Sequence, residues 1–163
     1  MEFQDNIDAI DKQLLNLLQK DASLSNQALA ELVHVSPPTC LRRVKRLRER
    51  GLIERQVALL QPDKLAQLRG HGLSAIVEIS LDHQGAEHLA AFEAKAVAEA
   101  LVQQCWRVSP GPDFVLVVHV PAMPGYHALA QRLFTQDANV RNVRAFFATH
   151  RAKFDPSVQI SLE

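Results

Sequence analysis

The chain has 163 residues, 47% of them apolar, and its 18 Lys and Arg balance 18 Asp and Glu. That length fits one medium domain or two small ones, and the neutral total gives no global field to draw the chain onto nucleic acid. There is no run of 18 apolar residues to cross a membrane and no signal-like start in Met1-Glu2-Phe3-Gln4-Asp5, and only two cysteines, Cys40 and Cys105, so the expectation is a reduced, cytoplasmic protein without disulfides, metal or cofactor.

In chain order, Ile7, Ile10, Leu14, Leu17 and Leu18 fall at helical spacing, with Asp8, Asp11 and Lys12 on the other face. After the polar break Asp21-Ala22-Ser23-Leu24-Ser25, Ser25 caps a short helix over 26–33 that buries Ala28, Leu29 and Leu32. The link Val33-His34-Val35 is a tight turn, and His34 stands where a positive φ is needed, which histidine tolerates better than most residues. A third helix starts at the Ser36 cap with Pro37 in its first position, and Gly51 marks its end. Its buried stripe is read as Leu41, Val44 and Leu47. Residues 53–60 suit a small strand or wing, and Gln61-Pro62-Asp63-Lys64 turns the chain back.

The third helix carries the most information. Arg42, Arg43, Lys45, Arg46, Arg48 and Arg50 crowd one short helix against a single acid, Glu49. Between Ser36 and Gln56 there are seven cations and two acids, and this local excess hidden in a neutral chain is the footprint expected of a phosphate partner. Two short helices joined by about three residues, the second one basic, form a helix-turn-helix braced by the leading helix. Entering the major groove amino-end first, the basic helix brings Thr39, Arg42 and Arg43 nearest the base edges, while Lys45, Arg46 and Arg50 lean toward phosphates and the Ser36 cap completes the DNA-binding set.

Gly70-His71-Gly72 is the hinge candidate, and the pattern beyond it becomes β-α-β-β-α-β. Strands are expected over 73–81, 105–108, 114–120 and 143–154, and helices over 87–101 and 126–134. This order predicts an α+β chain: a winged helix-turn-helix domain (1–62), a linker (63–72) and a ferredoxin-like βαββαβ domain (73–163). The latter's antiparallel sheet has both helices on one face. Its other face needs a second layer, and a second copy of the chain can supply it, so a homodimer is expected.

Ile7-Asp8-Ala9-Ile10-Asp11-Lys12-Gln13-Leu14-Leu15, Leu29-Ala30-Glu31-Leu32-Val33, Leu41-Arg42-Arg43-Val44-Lys45-Arg46-Leu47, Gly51-Leu52-Ile53 and Val57-Ala58-Leu59-Leu60 together resemble the Lrp/AsnC family of transcription regulators. The resemblance is specific over the first 65 residues and thereafter rests on element order. It implies binding to double-stranded DNA, assembly of dimers to octamers, and an amino acid or related metabolite as effector. The effector loop it implies is Pro110-Gly111-Pro112-Asp113-Phe114, in which Asp113 matches the family's acid and Phe114 replaces a tyrosine. Where the family often has small hydroxyl residues on its last strand, this chain has Ala145 and Phe146. The effector set implied is therefore Gly111, Asp113, Phe114, Ala145 and Phe146.

The seven histidines are scattered without ligand spacing, and neither a phosphate-cradling glycine loop nor a nucleophile elbow is present. Asp113 also reads as a turn former that bonds nearby backbone. Two functions remain: an amino-acid-modulated, sequence-specific transcription regulator that is not an enzyme, and a stand-alone ferredoxin-like binding or enzymatic module with an incidental basic helix.

Overall fold

The computed structural model describes residues 7–70 and 72–162, so the expected hinge residue His71 lies outside the described residues. The chain forms two compact units. The first comprises the residues up to Leu59 together with the tail from Lys153, and the second spans Leu60–Ala152.

In the first unit, α1 (Ala9–Leu18), α2 (Asn26–Leu32) and α3 (Pro37–Glu49) pack around Leu14, Leu29, Ala30, Val33, Cys40 and Leu47. Asp8 starts α1 in a capping box with Asp11, and Ser25 Oγ accepts the Ala28 N–H at 3.1 Å to start α2. His34 has φ 54°, as the turn requires. The expected Ser36 cap takes a different form. Pro37 and Pro38 have no N–H to offer, and the Ser36 hydroxyl instead pairs with the Thr39 hydroxyl at 2.8 Å. Gly51, at φ 71°, closes α3: its N–H reaches Arg48 O and the Leu52 N–H reaches Leu47 O, satisfying the last carbonyls.

Leu32 and Leu41 are 53% and 60% exposed, contrary to the sequence expectation. The buried faces are Leu29, Ala30 and Val33 on α2, and Cys40, Val44 and Leu47 on α3. Cys40, Val44 and Leu47 follow the i, i+4, i+7 spacing of a helix face more closely than a three-residue repeat does.

No strand forms over 53–60 in this chain, because β-branched residues make a strand only against a partner strand; Val57, Leu59 and Leu60 are exposed. The segment is tied to α3 by Arg48, which donates to Gln56 Oε1 at 2.7 Å. The tail returns to α1, where the Gln19 side-chain amide bonds both backbone groups of Val158, at 2.8 and 2.9 Å.

The second unit opens with a helix where a linker was expected, α4 (Pro62–Arg69). Pro62 takes a first-turn position rather than a turn, and Gly70 at φ 80° ends the helix. Then follow β1 (Leu73–Leu81), α5 (Ala86–Ala98), β2 (Val102–Arg107), β3 (Phe114–Val120), α6 (Met123–Ala130) with a π-turn over Gln131–Thr135, and β4 (Val140–Phe147). The last strand therefore starts and ends earlier than 143–154. The sheet has the order β2-β3-β1-β4, antiparallel throughout its neighbouring pairs. Ala75, Val77, Ile79 and Leu81 of β1 and Phe114, Leu116, Val118 and Val120 of β3 point to the helix side, where Phe92, Ala96, Tyr126 and Leu129 close the core. The alternate residues, among them Ile76, Trp106 and Phe146, face away from the helices and are 47%, 58% and 45% exposed. At the entry to β1 a Cβ on Gly72 would lie 2.4 Å from His119 Nε2, so a larger residue there would have to displace that imidazole.

Candidate nucleic-acid interface

The basic residues of α3 divide into two sets according to whether they share its buried side. Cys40, Val44 and Leu47 turn one side of the helix to the core, which leaves Pro38, Leu41, Arg42 and Lys45 exposed on the other. Arg42 is exposed and has no side-chain hydrogen bond or ion pair among the described residues, and Lys45 reaches Glu49, one turn on, at 3.7 Å. These two cations are displayed to solvent. Arg48 is exposed beside Gln56, and Arg50 is the half-buried C-cap. Asn26 Nδ2 donates to Pro37 O at 2.8 Å and fixes the start of α3 against α2. The first turn of α3, with Ser36 exposed and Thr39 half-buried, is thereby held rigid.

Arg43 and Arg46 turn the other way. Arg43 Nη1 lies 2.7 Å from Asp8 Oδ2 and 2.9 Å from Asp11 Oδ1, and Arg46 Nη2 lies 2.5 Å from Asp11 Oδ2. The Asp11 side chain is wholly buried, Arg43 is 18% exposed and Arg46 44%. Arg43, expected near a base edge, lies here in an internal ion pair, since its position borders the Cys40–Val44–Leu47 face. The Asp11 N–H and the Arg43 guanidinium hold the Asp8 carboxyl below its usual range, and Asp8 and Asp11 bind Arg43 more firmly in its charged form. Burial pushes the Cys40 thiol up, which fits an inert core residue.

Leu41 was missed as a surface residue in the sequence. The four-residue step from Cys40 to Val44 was the signal that would have placed it outside.

The expected effector residues are not drawn into one site within a chain. Gly111, at φ 120°, is exposed at the tip of the β2–β3 loop. Asp113 Oδ2 accepts the Leu81 N–H at 2.7 Å, beside the register shift at Ser80/Leu81. Phe114 is fully buried with its ring centroid 4.9 Å from that of Phe92, so it belongs to the core. Ala145 pairs with Val77 on the helix side, whereas Phe146 pairs with Ile76 on the bare face, under the Arg144 guanidinium. A shallow cavity of about 450 Å³ lies beside the loop, bordered by Gln84, Leu89, Arg107, Val108, Ser109 and Asp113. Burial, reinforced by Glu93, pushes the neighbouring Cys105 thiol up, with Arg107 opposing.

Residues 7–54 match a winged helix-turn-helix DNA-binding family, and residues 74–158 match the Lrp/AsnC ligand binding domain. The chain is 35% identical to the DNA-binding transcriptional activator DecR of Escherichia coli over 94% of its own length and 99% of that protein. It is also 35% identical to the leucine-responsive regulatory protein of Rhizobium meliloti, covering 94% and 96% of the two chains. Among solved structures, a transcriptional regulator of Neisseria meningitidis in complex with L-Met superposes with a TM-score of 0.82 at 25% identity, over 94% of this chain and 97% of that one. With its basic recognition helix and four-stranded sheet in this order, the chain belongs to the Lrp/AsnC family of DNA-binding transcriptional regulators.

Proposed function

We propose that the chain reads operator DNA with the solvent face of α3 and works as a homodimer whose DNA affinity is set by an amino acid. The observation that carries this reading is the row Leu41, Arg42 and Lys45, exposed on a helix whose opposite side is locked into the core. Arg42 meets base edges, where a bidentate contact to guanine gives about 1–3 kcal/mol of discrimination, and Leu41 packs on a thymine methyl. Lys45 and Arg50 bind phosphate, while Ser36 and Thr39 start the helix at the groove. Binding a twofold site calls for two such helices, supplied by dimers joined through the bare sheet face and assembling further, with octamers as the expected form.

The effector reading draws on the family's ligand-binding domain and on the L-Met complex of the Neisseria protein. In this chain it points to the cavity bordered by Arg107, which pairs with Glu93, and by Asp113, where the carboxylate and ammonium of an amino acid would find opposite charges. The setting is the cytoplasm, and the role is regulatory rather than enzymatic. The test is a mobility-shift titration of a duplex selected by the protein from a random pool, run against random DNA and with each of the twenty amino acids. Arg42→Ala is expected to lose preference for the selected duplex, and Lys45→Ala to weaken both duplexes alike. Equal effects of the two substitutions on both duplexes would overturn the division of roles, and twenty inert amino acids would overturn the effector reading.

A further inference from the structure

Asp8 and Asp11 stand three residues apart on the first turn of α1, and Arg43 and Arg46 three apart on α3, so that two carboxylates face two guanidiniums across the helix contact. Asp11 sits at the centre, fully buried, with one oxygen on each arginine. Such an arrangement is more than a clamp. Phosphate attraction is indifferent to sequence, so every cation left free on a recognition helix strengthens binding to random DNA as much as to the operator. Arg46 is 44% exposed and within a side chain's swing of the surface, yet it is turned back onto Asp11.

From this geometry we infer that Asp11 is a specificity-setting positioning residue, an internal counter-anion that withholds Arg46, and with Asp8 also Arg43, from the DNA phosphates. The inference rests on α3 being the DNA-reading helix. Removing the Asp11 charge releases Arg46, whereas Arg43, only 18% exposed, stays with Asp8. One new phosphate contact steepens the slope of log affinity against log salt by about 0.9, or about threefold in affinity between roughly 50 and 200 mM salt. The gain falls on random DNA and operator alike, while the loosened α3 loses operator contacts, so the ratio between them drops.

The experiment titrates the full-length protein against the duplex it selects from a random pool and against a random duplex, at both salt concentrations. Asp11→Asn is expected to bind the random duplex more tightly, with the steeper slope and a several-fold lower preference for the selected duplex. Adding Arg46→Gln to that variant is expected to restore the parental slope. A merely structural role for Asp11 would weaken both duplexes at an unchanged slope, and that result overturns the inference. If Asp11→Asn fails to fold by circular dichroism, Arg46→Gln alone decides: a slope equal to the parent's supports the withheld cation, and a slope shallower by about 0.9 overturns it. A parent that binds neither duplex removes the DNA reading itself, and this inference with it.

Discussion

Arg43 of α3 and Asp11 of α1 meet at 2.9 Å around a carboxylate with no solvent exposure, and Asp8 completes the pair from the N-cap at 2.7 Å. The contact joins residues 32 apart in sequence and sets how the recognition helix lies on the helix that braces it. Its pH dependence follows from Asp8. That carboxyl titrates below its ordinary value because the Asp11 N–H and the Arg43 guanidinium favour its charged form. A depressed folded-state value gives stability that is complete above the ordinary carboxylate range, near pH 4, and is lost as the pH falls through the lower folded value. The first unit is therefore expected to lose stability in acid over that window. Asp8→Asn keeps a good cap but removes the charge, and its melting temperature should depend less on pH there. Thermal melts between pH 2 and pH 7, about the range that brackets the carboxylates, check this, and an unchanged profile would count against the ion pair's contribution.

How much of this was legible in the sequence depended on the range of the interactions. Helix periodicity, the positive φ at His34 and the Gly51 stop are local, and their residues announce them. The βαββαβ order was also readable, because each strand and helix has its own pattern. The inward turn of Arg43 and Arg46 was not, since their partners lie on another helix and a cation's partner cannot be read from its own segment. The absent strand over 53–60 has the same origin: its β-branched residues express their preference only when a neighbouring strand is present. Phe114 is one of the effector residues the resemblance implies, and alternation along β3 turns its ring into the core against Phe92, which its loop position does not announce. Pro62 by itself fits a turn as well as a helix start, and the helix formers after it, Lys64-Leu65-Ala66-Gln67-Leu68, make it a helix start.

Asp113 closes the β2–β3 loop onto the end of β1. Its carboxylate takes the Leu81 N–H at 2.7 Å, its own N–H donates to Ile79 O at 2.8 Å, and its carbonyl receives the Val108 N–H at 3.1 Å. Asp113→Ala leaves the Leu81 N–H without an acceptor beside a side chain only 1% exposed, so the second unit should lose about 1–3 kcal/mol. Asp113→Asn retains an acceptor oxygen and is expected to recover most of that loss. The same pair separates two roles in sensing. An amino-acid response lost in both variants needs the charge, whereas one lost only with alanine needs the loop's shape. Denaturant melts beside the operator titration give both answers, and parental stability of Asp113→Ala would remove the structural role.

Gln19 holds the returning tail as a neighbouring strand would, with Nε2 donating to Val158 O and Oε1 accepting the Val158 N–H, while Asn16 Nδ2 donates to Ile160 O at 3.1 Å. Val158 and Leu162 of the tail are 68% and 53% exposed. Polar bonds at the surface contribute about 1 kcal/mol each at most, so the docking is predicted to be readily reversible. Gln19→Ala should release residues 157–160 and speed amide exchange at Val158, with a change of no more than about 2 kcal/mol in the first unit's stability. Hydrogen exchange read by mass spectrometry checks it. Protection of Val158 equal to the parent's would mean that something other than Gln19 holds the tail.

The bare sheet face offers a test of assembly that leaves the core untouched. Ile76 lies at its centre, in register with Val117 on β3 and Phe146 on β4, and Trp106 on β2 shares the face with its indole N–H bonded to Gln104 Oε1. Trp106 is the sole tryptophan of the chain, so its fluorescence reports on this face alone. Covering a half-exposed indole removes enough apolar surface for Trp106→Ala to weaken the dimer by about 2 kcal/mol or more. Ile76→Glu acts more strongly, because two copies would each bring a carboxylate to the other's apolar centre, where the nearest cation, Arg144, already pairs with Glu78 at 3.3 Å. Its side chain points away from Phe92 and Leu129, so the folded subunit should survive. Sedimentation of Ile76→Glu is expected to show a monomer, its tryptophan emission should no longer shift to the blue with rising concentration, and its operator binding should fall together with the dimer. Assembly equal to the parent's would place the dimer contact elsewhere on the chain.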